Sequence, residues 1–212
     1  MRILTLSFTL LLVACSPSPE ERAAFFRAEG DRLDAAARHV QKAFTYEDFI
    51  TSPQYRQTRD MWRGGALSQY NPKNSRVEIL LKEQRGRLYI NDTIAMDFPI
   101  CSGRIGGMET PKGTFRISQK KEMHRSNRYG VFMSKADGSV VKWGVTADDA
   151  VPAGMYFEGT DMPYWLRFNG GIGLHVGKVE RNTDSHGCVR VPEEAAVILF
   201  EKLEVGSKVV VK

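Results

Sequence analysis

The sequence predicts a mainly β protein of the α+β class, preceded by an N-terminal helical segment. Three observations carry this. Short runs with period-two alternation follow one another over residues 75–212. Turn chemistry separates them, as at Pro111, Lys112 and Gly113. Within that stretch one run, residues 193–203, reads as a helix; the other helical spacing lies before residue 63. The chain has 212 residues, 42% hydrophobic and 26% charged, which suits one medium domain with a small appendage.

Residues 1–14 hold one basic residue, Arg2, and an apolar run that ends just before Cys15. The run is too short to span a bilayer comfortably and reads as the core of a secretory signal. Residues 15–74 read as a tether and helical appendage. "SPSPEE" is polar and contains proline. Ala24, Phe25, Ala28, Leu33, Ala36, Ala37, Val40 and Phe44 then recur near helical spacing, interrupted by Gly30, so one or two amphipathic helices are expected over 21–44. A short helix is expected around 54–62, then a loop at Gly64 and Gly65.

From residue 75 the period changes. Val77, Ile79 and Leu81 alternate, the chain turns at "EQRG", and Leu88 and Ile90 resume the pattern as a hairpin. "TIAMDFPICSG" reads as a third strand and turn, and 114–117 as another strand. "GVFMS", "VVKWGVT" and "YWLRFNGG" read as further short strands or loops. "EEAAVILFEKL" is a helix, and "GSKVVVK" a closing strand after Gly206.

The net charge is +5. It suits an anionic partner such as nucleic acid, a membrane surface or a cell wall, and equally a mildly basic soluble protein. No basic run is interleaved with stacking aromatics, which argues against nucleic acid. "LVAC", residues 12–15, resembles a bacterial lipobox. That resemblance implies cleavage before Cys15, a lipid on its sulfur and an exported protein anchored to a membrane. Ser16 after the cysteine favours the outer membrane over the inner. Two of the three cysteines then remain, Cys101 and Cys188. An exported compartment permits a disulfide between them; otherwise at least one thiol is kept free to react. Cys101 reads as a small core residue.

"NTDSHGCVRVP", residues 182–192, is the stretch with chemical content. A thiol nucleophile needs a base to take its proton, and amides to hold the oxyanion formed on attack at a carbonyl. Gly187 permits a sharp turn, so that amides near Gly187 and Cys188 can point into one pocket. His186 is too close in sequence to reach the sulfur easily. His175, at the end of "NGGIGLH", reads as lying on a strand that enters the site. Taken singly, Cys188 and His175 also suit a buried small residue and a satisfied core histidine.

"SHGCVR" preceded by "GLH" resembles the signature of the L,D-transpeptidases, the YkuD-type catalytic domain of bacterial cell-wall enzymes. "ILLKEQRGRLYIND", "FPICSGRIGGMETPKGTFRI", "MPYWLRFNGGIGLHVG" and "VPEEAAVILFEKLEVGSKVVV" agree with it in order, so that the resemblance covers residues 75–212. It implies two packed mixed β-sheets with a short helix after the cysteine. Cys188 would be the nucleophile and His175 the base, oriented by the Val176 carbonyl. His186, Gly187 and Cys188 would supply oxyanion amides. Ser185 and Arg190 would support the turn or bind substrate. Tyr156, Tyr164 and Trp165 could wall the cleft or belong to the core.

The implied reaction is ping-pong acyl transfer. A thioester forms with a peptidoglycan tetrapeptide stem and passes to an amine. No cofactor or metal is expected, and a monomer is expected. The segment between His175 and Ser185, "VGKVERNTD", is shorter than in many relatives, which bears on cleft shape. A hydrolase on the same scaffold and a wall-binding module with a dead site are the competing readings. Retention of both His175 and Cys188 argues against the second.

Overall fold

The computed structural model describes residues 45–56, 60–180 and 182–212. The expected signal, Cys15, the tether and the helices of 21–44 lie outside the described residues. The chain divides into two compact units at Ile50/Thr51.

A short helix α1 (Tyr46–Thr51) crosses that division. Its start is capped by Thr45, whose Oγ1 accepts the Asp48 amide at 3.1 Å while the Asp48 carboxylate accepts the Thr45 amide at 2.7 Å. In the larger unit, α2 (Pro53–Arg56) precedes β1 (Met61–Trp62) and α3 (Gly64–Leu67). Two expectations are corrected here. Met61 and Trp62 form a strand rather than the end of a helix, because Met61 pairs with Asp97 and Trp62 with Met96 at a sheet edge. Gly64 and Gly65 begin a helical turn rather than lying in a loop. In both places a tertiary partner outweighs a weak local preference.

The first sheet has six strands in the order β1-β4-β3-β2-β13-β6. They are β2 (Ser75–Leu80), β3 (Arg85–Ile90), β4 (Thr93–Pro99), β6 (Gly113–Arg116) and the last strand β13 (Lys208–Val211), with β1 at the edge. The predicted hairpin is β2–β3, paired from Ser75↔Ile90 to Leu80↔Arg85. Strand β13 inserts parallel to β2 and antiparallel to β6, which makes the sheet mixed. Val77, Ile79, Val209 and Val211 face inward; Glu78 faces outward and accepts a bond from Lys212 Nζ at 2.8 Å.

The second sheet has five strands in the order β12-β10-β9-β7-β8. They are β7 (Gln119–Ser134), β8 (Val140–Thr146), β9 (Met155–Asn169), β10 (Ile172–Val176) and β12 (Val189–Val191). β5 (Ser102–Gly103) and β11 (Thr183–Ser185) form a two-stranded ribbon. β7 and β9 run 16 and 15 residues, far beyond the short strands expected at "GVFMS" and "YWLRF". Residues 119–129 of β7 and 155–161 of β9 contain no buried side chain, so apolar alternation is weak there.

One core joins the sheets. It combines Val77, Ile79, Leu88 and Ile90 with Leu166, Phe168, Leu174, Val189 and Val191, closed by Ala195, Ala196 and Leu199 of α4 (Glu193–Lys202). Within the first sheet Asp97 is fully buried. It accepts Arg85 Nε at 2.6 Å and Arg87 Nε at 3.0 Å, and Arg85 is fully buried too. This pins β3 to β4. Arg85 also lies over the Tyr55 ring, 4.9 Å from its centroid, which brings α2 onto the same pair of strands.

Candidate active site

The register of the second sheet brings the two predicted residues together. β10 and β12 are parallel, with Leu174 opposite Val189 and His175 opposite Arg190. Leu174 and Val189 point into the core. Alternation turns His175 to the other face, and Cys188 precedes β12 beside Gly173. Gly173 cannot carry a side chain: a Cβ there would lie 2.7 Å from the Leu166 carbonyl oxygen and 2.8 Å from the Trp165 ring. Its amide hydrogen-bonds the Cys188 sulfur and thereby opposes the upward shift of the thiol. The thiol itself lies 3.8 Å from the Gly171 carbonyl oxygen.

His175 is 8% exposed. Its Nδ1–H donates to the Val176 carbonyl at 2.7 Å, leaving Nε2 as an acceptor. Burial lowers its pKa to about 4. The Val176 hydrogen bond opposes that shift, and the charges of Arg190 and His124 add to it. Burial raises the Cys188 pKa; the Gly173 hydrogen bond and Arg190 oppose this. Burial dominates both groups, so the resting pair is neutral imidazole and thiol rather than an ion pair.

This has a stability consequence. The unfolded imidazole titrates near 6.5 and the folded one near 4. Between these values the unfolded state binds more protons, so His175 contributes stability that is fully present above pH 6.5 and lost as pH falls through 4. His175→Gln is expected to remove about 3 kcal/mol of that acid loss. Urea unfolding of both proteins at pH 7 and pH 4.5 checks it; equal pH slopes for the two proteins would refute it.

The turn before Cys188 is held by its neighbours. Gly187 has φ +110°, a left-handed conformation suited to glycine. Its carbonyl accepts Thr110 Oγ1 at 2.8 Å, and that oxygen accepts the Gly103 amide at 2.9 Å. Ser185 is buried, and its Oγ donates to the Cys188 carbonyl. The same Oγ accepts the Gly187 amide at 3.2 Å. The Gly187 amide, one of the three expected at an oxyanion, thus has a partner within the turn. Arg190 packs its stem on Gly177, bonds Asp184 Oδ2 at 3.3 Å, and exchanges backbone bonds with Cys101. Cys101 is buried, and both it and Cys188 are free thiols.

Two expected cleft residues are placed elsewhere. Trp165 is fully buried, so it offers no surface to a substrate; its ring centroid lies 6.1 Å from that of His175. Tyr156 pairs with Met133 in the outer half of β9, remote from the Leu166–Leu174 pairing beside the site. Tyr164 is partly buried against the core and packs edge-on to Phe200.

Three residues near the site escaped sequence reasoning. His124 lies 4.7 Å from the Trp165 ring, centroid to centroid. Tyr129 stacks on His186 at 4.3 Å. Arg104 Nη2 lies 3.0 Å from His186 Nε2. Arg104 lies in the quoted stretch "FPICSGRIGGMETPKGTFRI" and Tyr129 just before "GVFMS", but neither residue is singled out there. Among the described residues, no group of three His, Cys, Asp or Glu side chains is placed to hold a metal ion.

Fold and site together define a β-rich domain with a thiol and an imidazole on adjacent parallel strands. The chain belongs to the YkuD family, the L,D-transpeptidase catalytic domain, whose profile matches residues 74–211. Solved relatives include an L,D-transpeptidase from Stackebrandtia nassauensis, with 22% identity, 68% of this chain and 59% of that one covered, and a TM-score of 0.47. An L,D-transpeptidase from Mycobacterium smegmatis shows 15% identity over 66% of this chain and 58% of that one, with a TM-score of 0.48. L,D-transpeptidase 1 of Mycobacterium tuberculosis shows 18% identity over 66% and 61%, with a TM-score of 0.45. The chain thus spans 58–61% of the length of these three relatives. No curated protein matches it.

Proposed function

We propose that this protein is a cysteine-dependent L,D-transpeptidase acting on peptidoglycan stem peptides. The observation that carries the reading is the parallel β10–β12 register, with an imidazole whose Nε2 is left open and a thiol on the same face.

His175 Nε2 takes the Cys188 proton as the sulfur attacks the carbonyl of the L-centre in an L,D-peptide bond. The amides of Cys188 and His186 hold the oxyanion. As the C–N bond breaks, the imidazolium gives its proton to the departing D-amino acid, and a thioester remains. An acceptor amine then attacks the thioester and gives its proton to His175. Cys188 leaves as a thiol on receiving that proton. Water in place of the amine gives the hydrolase.

The test is incubation of the full chain, purified in detergent, with a disaccharide-tetrapeptide, followed by mass spectrometry of protein and products. A Cys188-dependent cross-linked dimer supports transpeptidation. Tripeptide alone moves the reading to a hydrolase. No acyl-enzyme and no product from folded protein would sink both.

The lipobox-like "LVAC" supports an exported protein anchored by lipid at Cys15, at the periplasmic face and on the outer membrane. Cys15→Ala is expected to shift the protein from the membrane to the soluble fraction and to abolish labelling by radioactive palmitate. Unchanged fractionation and labelling would refute the anchor.

A further inference from the structure

The turn that precedes Cys188 carries a cation with an unusual partner. Arg104 is exposed and follows Gly103 of β5. Its amide donates to the Ser185 carbonyl at 3.0 Å, which ties it to the turn that presents Cys188. Its Nη2 lies 3.0 Å from His186 Nε2 and 3.4 Å from the Met108 sulfur. A guanidinium only donates, so His186 Nε2 accepts and the ring proton sits on Nδ1. The His186 ring is held on its other side by the stack on Tyr129.

The other ionic groups nearby have partners. Arg190 bonds Asp184, and the Glu109 carboxylate accepts the Gly106 and Gly107 amides at 2.7 and 2.9 Å. Arg104 forms no ion pair with a carboxylate among the described residues. A fixed guanidinium with donors left over is suited to a planar anion.

We propose that Arg104 is a specificity residue that binds a free carboxylate of the donor stem peptide. This deepens the acyl-transfer reading and rests on it. Two carboxylates share that chemistry, the C-terminal one of the departing D-amino acid and the one on the side chain of the stem's diamino acid. His186 acts as a positioning residue that holds the guanidinium at the turn before Cys188.

The test is made first by binding, so that it does not depend on turnover. The full chain bearing Cys188→Ala, alone and with Arg104→Gln or Arg104→Lys, is titrated calorimetrically with three tetrapeptide stems. One is the free acid, one is amidated at the C-terminus and one is amidated on the diamino acid. A charge-assisted hydrogen bond is worth about 1.5–3 kcal/mol. Arg104→Gln is therefore expected to weaken the free-acid stem by about 10–100-fold, and Arg104→Lys by less. One amidated stem is expected to bind parent and Arg104→Gln equally, which identifies the carboxylate.

Equal loss on all three stems would overturn the proposal and leave Arg104 a structural support of His186. So would no loss on any stem, or no binding of any stem by the parent. Melting temperatures within about 2 °C of the parent separate binding from unfolding. Wild-type turnover of the same stems reports independently on the acyl-transfer reading. Stems that bind through Arg104 but yield no thioester would remove that reading and keep the carboxylate site.

Discussion

Replacing Cys188 with alanine is expected to abolish the acyl-enzyme and lower kcat/KM by about 10^6-fold, the scale seen when a catalytic nucleophile is removed from a hydrolase. Among the described residues the one other thiol is not placed to substitute. Cys101 is buried on the far side of its backbone bridge to Arg190, with its sulfur 3.4 Å from Asn182 Oδ1. The fold itself should tolerate the change, because the sulfur makes one long contact to the Gly171 carbonyl and one hydrogen bond from Gly173. A stability change of about 1 kcal/mol or less is expected. Intact-mass measurement after incubation with substrate, beside a urea unfolding curve, reads both quantities. An adduct that survives Cys188→Ala would place the nucleophile elsewhere.

Asp97→Asn is expected to have the largest effect on stability. The substitution keeps shape, removes the charge and turns one of the two acceptor oxygens into an NH2 donor. It leaves the fully buried Arg85 without the carboxylate that its Nε meets at 2.6 Å, and takes from Arg87 Nε its 3.0 Å acceptor. Removing one partner of a buried ion pair costs about 3–5 kcal/mol. Against a total of about 5–15 kcal/mol this is a large fraction. For a chain of this size it corresponds to a fall of roughly 10 °C in Tm. Calorimetry and chemical denaturation measure it; a loss below about 1 kcal/mol would mean that the carboxylate does little to hold Arg85.

The two effects separate cleanly by location. Asp97 belongs to the first sheet, where β3 and β4 meet. Cys188 and His175 belong to the second, where a parallel register aligns them. A destabilised Asp97→Asn protein that remains folded should therefore still form the acyl-enzyme.

Much of the domain was legible because its determinants are local. The β2–β3 hairpin follows from alternation around "EQRG", and α4 from an apolar run after Pro192. The pairing of His175 with Cys188 was legible only through "GLH" and "SHGC" read jointly, since neither residue alone distinguishes a site from a core. The carbonyl that orients His175 lies on the next residue, so sequence could nominate it.

Other features depend on contacts between distant segments. Met61 and Trp62 are a strand because β4 has an open edge, and nothing in their neighbourhood says so. Residues 119–129 of β7 and 155–161 of β9 contain no buried side chain, which weakens the alternation that marks a strand. Trp165 reads as a cleft aromatic until the fold buries it beside His175. Arg104 and Tyr129 meet His186 only once the ribbon of β5 and β11 and the long β7 close around the turn.

The sequence by itself determined the family and the order of most elements, and it nominated the thiol and imidazole, because these rest on residue chemistry and short-range period. Tertiary structure alone decided the burial that shifts both pKa values, the Thr110 bond to the Gly187 carbonyl, and the seating of the Arg104 guanidinium on His186. Each of those depends on burial or on hydrogen bonds between segments far apart in the chain, and neither is written in local spacing.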